Sequence, residues 1–174
     1  GPRPTQLILN SAGQDIYIGA NHTIPPTSGG IYIGNHITVD ANSRGIAIGS
    51  TNAVQADVIC IGRKASGTSG GIALGHEAYA GPGGTAVGYD ALTSLRAVAI
   101  GYKASGDYDG TALGYASAAG CVGHPDTFCR VAIGEYVTNR IPGADSAVIR
   151  GSHYADGGTG LYFNALTEGL AEVP

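Results

Sequence analysis

Bulky apolar residues along this chain flank a single intervening residue and are then closed by glycine, and this short pattern recurs from one end to the other. Apolar-x-apolar-Gly, with Thr in the first place at Thr85 and Thr111 and Arg150 in the third place of the last copy, reads ten times, ending at Gly19, Gly34, Gly49, Gly62, Gly75, Gly88, Gly101, Gly114, Gly134 and Gly151. The steps are 15 and 15, then 13 five times, then 20 and 17. Alternation about one residue predicts a short strand, and glycine ends it by taking backbone angles closed to other residues. A fixed period predicts coils that touch only their neighbours along a stack. The expected fold is therefore all-β, a parallel β-solenoid with about 13 residues per coil.

Side chains on a strand alternate between faces, so the first and third places of each repeat share one face. Those places hold Ile16/Ile18, Ile31/Ile33, Ile46/Ile48, Ile59/Ile61, Ile72/Leu74, Val98/Ile100 and Val131/Ile133. Their bulk predicts the core. The middle place holds Ala47, Cys60, Ala73, Ala86, Ala99, Ala112 and Ala132, and reads as a small outward row against which partner chains pack. After each glycine come two variable residues and often Ala, as in Gly75-His76-Glu77-Ala78, before a second strand and a turn complete the coil. Three segments follow: a lead-in over 1–15, repeats over 16–151 with an expanded loop at 115–130, and a non-repetitive cap or tip over 152–174.

Composition narrows the classes of function. Thirty glycines in 174 residues, with no Met or Trp, suit many turns and little helix. Nine basic and thirteen acidic residues give a net charge of −4, with no basic cluster beyond Arg63-Lys64, which argues against a nucleic-acid partner. No apolar run approaches the roughly 20 residues of a membrane helix, so membrane insertion is not expected. Gly1-Pro2 has the form of a tag remnant, which implies a piece of a longer protein.

Runs such as Gly84-Thr85-Ala86-Val87-Gly88-Tyr89-Asp90-Ala91-Leu92, Ala97-Val98-Ala99-Ile100-Gly101-Tyr102-Lys103-Ala104 and Gly71-Ile72-Ala73-Leu74-Gly75 resemble the head repeats of YadA-like trimeric autotransporter adhesins, which also occur in bacteriophage tail fibres. The resemblance spans about residues 31–151. It implies a left-handed parallel β-roll assembled as a homotrimer. The segment Leu7-Ile8-Leu9-Asn10-Ser11-Ala12-Gly13 before Ile16-Tyr17-Ile18-Gly19 is similar to tail-fibre segments and favours the phage. The expected function is non-covalent attachment of a phage tail fibre or tail tip to a bacterial polysaccharide or outer-membrane component, with the virion as its place. The alternatives are an autotransporter head on a bacterial cell surface and a passive spacer within a fibre.

Enzymatic motifs do not assemble. Gly67-Thr68-Ser69-Gly70-Gly71 matches G-x-S-x-G, but a nucleophile elbow needs a helix after it and a wide α/β sheet around it. Its near twin Thr27-Ser28-Gly29-Gly30 marks it as a turn between coils. No cofactor or metal is expected, since His22, His36, His76, His124 and His153 form no H-x-H pair. Cys121 and Cys129 bracket the expanded segment at a separation that allows a disulfide in an oxidising setting, while a reducing one keeps them free. Cys60 takes an alanine slot in the row assigned to partners, where pairing between chains is open.

The candidate receptor-binding residues are aromatic. Tyr89, Tyr102 and Tyr115 follow the glycine in three successive coils, which predicts an aromatic ladder. Such a ladder stabilises adjacent coils or offers a platform to sugars. His124 and Phe128 lie in the expanded loop, and Tyr154, Tyr162 and Phe163 in the final stretch, where the repeat stops and recognition is expected.

Overall fold

The computed structural model describes residues 6–9, 15–120, 130–139, 146–149, 160–164 and 169–173, with side chains placed over 16–120, 130–139 and 146–149. It is a β-solenoid built from two sheets. The first sheet has thirteen strands, ten of them successive parallel strands that run from Asp15–Ala20 to Ser146–Ile149. The second has eight parallel strands, from Thr38–Val39 to Thr138–Asn139. Each of the eight coils that begin with Gly29–Asn35 through Arg130–Ile133 contributes one strand to each sheet. Antiparallel strands close both ends of the first sheet, Gln6–Leu9 against Asp15–Ala20 and the pair Gly160–Asn164 and Gly169–Val173 beyond Ser146–Ile149.

Register follows the repeat. Ile46, Ile59, Ile72, Thr85, Val98, Thr111 and Val131 pair in one line, and Ala47, Cys60, Ala73, Ala86, Ala99, Ala112 and Ala132 in the next. Beyond that point the spacing in the sequence misleads by one residue. Ile149 pairs with Ile133, a step of 16 residues where the closing glycines Gly134 and Gly151 are 17 apart.

The two faces of the first sheet are the reverse of the sequence-based expectation. The middle row is the interior: Ala47, Cys60, Ala73, Ala86, Ala99, Ala112 and Ala132 are wholly buried inside their own coils. The bulky row points outward, with Ile16, Ile31, Ile48, Ile61, Ile100 and Ile149 each 37–42% exposed. The reason is the size of the coil. Thirteen residues close two short strands around a narrow lumen, which from Ala65 to Ala112 is filled by Gly, Ala and Thr and takes Asn52, Val54 and Val58 beside the wider coils. One coil fills it with Gly71, Ala73, Ala78 and Ala80, and the next with Gly84, Ala86, Ala91 and Thr93, all of them buried. Isoleucine is too large for this space.

The wider coils support the same rule. Where the repeat is 15 residues, the buried interior takes Tyr32, whose hydroxyl donates to the Gly29 carbonyl at 3.2 Å, and Ile37. Further along, Asn52 fills the lumen and meets its polar needs by donating to Ile48 O at 3.2 Å and accepting from Ala65 N at 3.1 Å. Asn139 does the same near the other end, with Val131 O, Ser146 O and Ser146 Oγ. Buried amides are tolerated here because their hydrogen bonds are made.

Corners complete each coil. The closing glycines Gly19, Gly34, Gly49, Gly62, Gly75, Gly88, Gly101, Gly114 and Gly134 all have φ between 129° and 143°. A Cβ on any of the first eight would overlap the carbonyl oxygen of the glycine one coil on. Two residues later the chain enters the left-handed region in every coil, at Asn21, His36, Thr51, Lys64, Glu77, Asp90, Lys103, Ala116 and Tyr136, with φ between 50° and 59°. In the 13-residue coils that residue's N–H donates to the carbonyl of the preceding coil, as from Lys103 to Tyr89 at 2.8 Å. A second corner lies between the sheets at Asn42, Asp57, Gly70, Gly83, Arg96 and Asp109, with φ between 52° and 76°.

Two substitutions test this geometry by thermal or denaturant unfolding. Ala99→Leu overfills the lumen and should cost about 3 kcal/mol, whereas the outward change Ile100→Leu should be nearly neutral. Ala116→Gly removes a Cβ from a left-handed position and should stabilise the fold by about 1 kcal/mol.

Candidate functional site

The residue that follows each closing glycine projects outward, so a coil register of 13 stacks these side chains into a column. Tyr89 and Tyr102 stack with centroids 5.1 Å apart and planes 9° apart, and Tyr102 and Tyr115 at 4.9 Å and 5°. The ladder predicted from the sequence is present and runs further. His76 stacks on Tyr89 at 4.9 Å and 23°, and Tyr136 closes the other end edge-on to Tyr115 at 5.1 Å and 68°. His76 was legible in principle, since Gly75 places it in the same column. Tyr136 was not, because it stands two residues after Gly134 and enters the column from the neighbouring place.

Stacking decides what the column can offer. Each inner ring is sandwiched between its neighbours, so its faces are occupied and its edge and hydroxyl meet solvent. Stacked pairs such as Tyr89–Tyr102, with rings 39–43% exposed, contribute about 0.5 kcal/mol each at this level of exposure. A sugar that requires the open face of an aromatic ring does not find one within the stack. A hydrogen bond with the Tyr115 hydroxyl raises the Tyr136 phenol above its usual range. Lys103 Nζ lies 5.5 Å from the Tyr102 centroid, and Arg63 contacts His76 Nε2.

The flanking corners carry charge pairs one coil apart. Lys64 Nζ meets Glu77 Oε1 at 2.9 Å, and Arg96 makes two bonds of 2.7 Å to Asp109. The hydrogen bond from Lys64 holds the Glu77 carboxyl below its ordinary value, and the one from Arg96 does so for Asp109. Whatever stability these pairs supply is present above the ordinary carboxylate pKa and is lost as pH falls through the lowered values. Such exposed pairs contribute little and fade with salt.

Among the described residues no three His, Cys, Asp or Glu side chains come together as metal ligands do. His22 Nδ1 accepts from Ile37 N at 3.4 Å. His36 sits at a left-handed corner. Cys60 is not in a partner-facing row: it is sealed in the lumen with its thiol 3.6 Å from Ala53 O, and burial pushes that thiol up to about 12. Cys121, Cys129, His124, His153, Phe128 and Tyr154 lie outside the described residues. Tyr162 and Phe163 belong to the strand Gly160–Asn164, opposite Val148 and Ala147. The expanded segment departs after Gly120, at the corner between the second and first sheets, and the chain resumes at Arg130.

The fold and its register define a repeat protein of the β-solenoid class. Comparison with protein-family models, curated proteins and solved structures finds no match.

Burial of Cys60 has a direct chemical readout. In a Cys121→Ser, Cys129→Ser background, iodoacetamide at pH 8.5 should leave Cys60 unmodified in the native protein and alkylate it promptly in denaturant. Because its folded pKa is raised, the neutral thiol also favours folding less as pH climbs above the unfolded value of 9.0.

Proposed function

We propose that this chain is an adhesion module of a fibre, of the kind carried by phage tails. It assembles as a homotrimer and attaches without covalent chemistry to a bacterial surface polysaccharide or outer-membrane component. The observation that supports it most is the outward face of the first sheet. Two adjacent columns of Ile, Val and Leu, varied only by Thr85, Thr111 and Ala147, run along that sheet without a single charged residue. A continuous apolar strip of this length on a lone chain marks an interaction surface. A slender stack that buries mostly alanine gains little from its own lumen and gains much by covering this strip with copies of itself.

The partner-facing surface is thus the isoleucine row, not the alanine row. Association through it leaves the second sheet and the corners as surfaces for a receptor. The resemblance of the repeats to adhesin heads supports the same reading, as does a ladder of side chains that stiffens a rod.

The proposal has two separable tests. Sedimentation equilibrium should give three chains per particle, and Ile61→Glu with Ile100→Glu should yield monomers that keep their β-rich circular dichroism. A monomeric parent protein rules out the assembly. Labelled trimer should bind intact host bacteria and lose that binding when residues 121–129 or 152–174 are deleted. Failure of the trimer to bind, or full binding by both deletions, leaves a spacer instead of an adhesin.

A further inference from the structure

The second sheet carries a hollow of about 540 Å³, on the opposite side of the stack from the aliphatic columns. Its floor is the outward row of that sheet, where Tyr79, Leu92, Ser105 and Ala118 pair in register from coil to coil. Side-chain size falls along this row, so the surface drops from Leu92, which is 50% exposed, to Ser105 and Ala118. One wall is made by the second corners of three coils, with Pro82, Leu95 and Tyr108.

Tyr79 and Tyr108 differ from the ladder tyrosines in the respect that matters for binding. Among the described residues no ring packs on either of them, and both line the hollow, Tyr79 with 38% of its surface exposed. The corner that carries Tyr108 is also held firmly. Tyr108 and Asp109 are successive left-handed residues with φ of 30° and 58°, an arrangement that costs energy for a bulky side chain. It is pinned by Tyr108 N donating to Ser94 Oγ at 2.9 Å, by Ser94 Oγ donating to Asp107, and by the Arg96–Asp109 pair. Among the described residues Asp107 is the one charged side chain that lines the hollow.

From these features we infer that the hollow is a glycan subsite for a neutral oligosaccharide bearing acetamido groups. Its volume suits about two to three sugar rings. The Tyr79 and Tyr108 rings that line the hollow pack against the apolar face of a pyranose, and the Ser105 hydroxyl and the Asp107 carboxylate receive sugar hydroxyls and the amide N–H. The step beside Leu92, walled by Leu95 and floored by Ala118, takes the acetamido methyl. A lone carboxylate repels acidic sugars. The inference rests on the adhesion reading only for its biological purpose, and it places recognition at residues outside both the ladder and the termini.

The test is isothermal titration of the full chain with chitotriose, with cellotriose and with trigalacturonate. Chitotriose should bind with a dissociation constant below about 1 mM, cellotriose more weakly, and trigalacturonate not at all. Ser105→Leu fills the step with a side chain the same row already carries at Leu92, and should weaken chitotriose binding by roughly tenfold or more. Tyr102→Ala, on the ladder, should leave it unchanged. Equal binding of chitotriose and cellotriose, undiminished binding by Ser105→Leu in a protein with parental circular dichroism, or an equal loss in Tyr102→Ala each overturns the subsite. Attachment to host cells without chitotriose binding refutes this subsite and spares the adhesion reading, whereas chitotriose binding that Ser105→Leu abolishes, without attachment to cells, does the opposite.

Discussion

A narrow lumen, filled through most of the stack by glycine and alanine, governs this molecule. Two short strands and two tight corners must close within thirteen residues, and the corners leave no slack. Each closing glycine sits against the carbonyl of the next, so neighbouring coils approach as closely as backbone allows. Alanine and glycine then dominate the interior, and the larger Asn52, Val54 and Val58 are buried in the coil next to the wider ones. The two 15-residue coils relax the constraint and at once admit Tyr32 and Ile37.

Every other feature follows from that exclusion. Bulky aliphatic residues, shut out of the lumen, form an uninterrupted outer face on the first sheet. Identical register in successive coils multiplies any outward choice into a column, whether isoleucine, tyrosine or paired charge. Column geometry then sets chemistry: rings in the ladder spend their faces on one another, while Tyr79 and Tyr108, stacked on no ring among the described residues, line the hollow of the second sheet. Left-handed backbone at Lys64, Glu77, Asp90 and Lys103 is strain accepted so that the corner can turn and still hydrogen-bond to the coil before it. That strain is distributed over the whole stack, with hydrogen bonds between coils offsetting it.

Much of this was legible in the residues. Period, strand positions, turn glycines and the Tyr89–Tyr102–Tyr115 ladder could all be read from spacing, because spacing alone sets register in a parallel stack. Less legible was the last step of the stack, where Ile133 pairs with Ile149 and the register is one residue shorter than the glycine spacing. The hollow beside Leu92 was invisible for another reason. Its residues come from different coils and both sheet and corner, and the step depends on how Leu92, Ser105 and Ala118 follow one another across coils, not along the chain.

Sequence by itself determined that the chain is a β-solenoid, how its coils align and where the glycines must fall, since a thirteen-residue repeat of bulky, small, bulky and glycine admits one pairing. It left open which face of each strand looks inward. Alternation marks two faces but does not name them, and the habit of placing large apolar residues inside points the wrong way here. Only the tertiary structure decided it, because the decision lies in the width of the closed coil: a space a few methyl groups across holds the alanines and turns the isoleucines out.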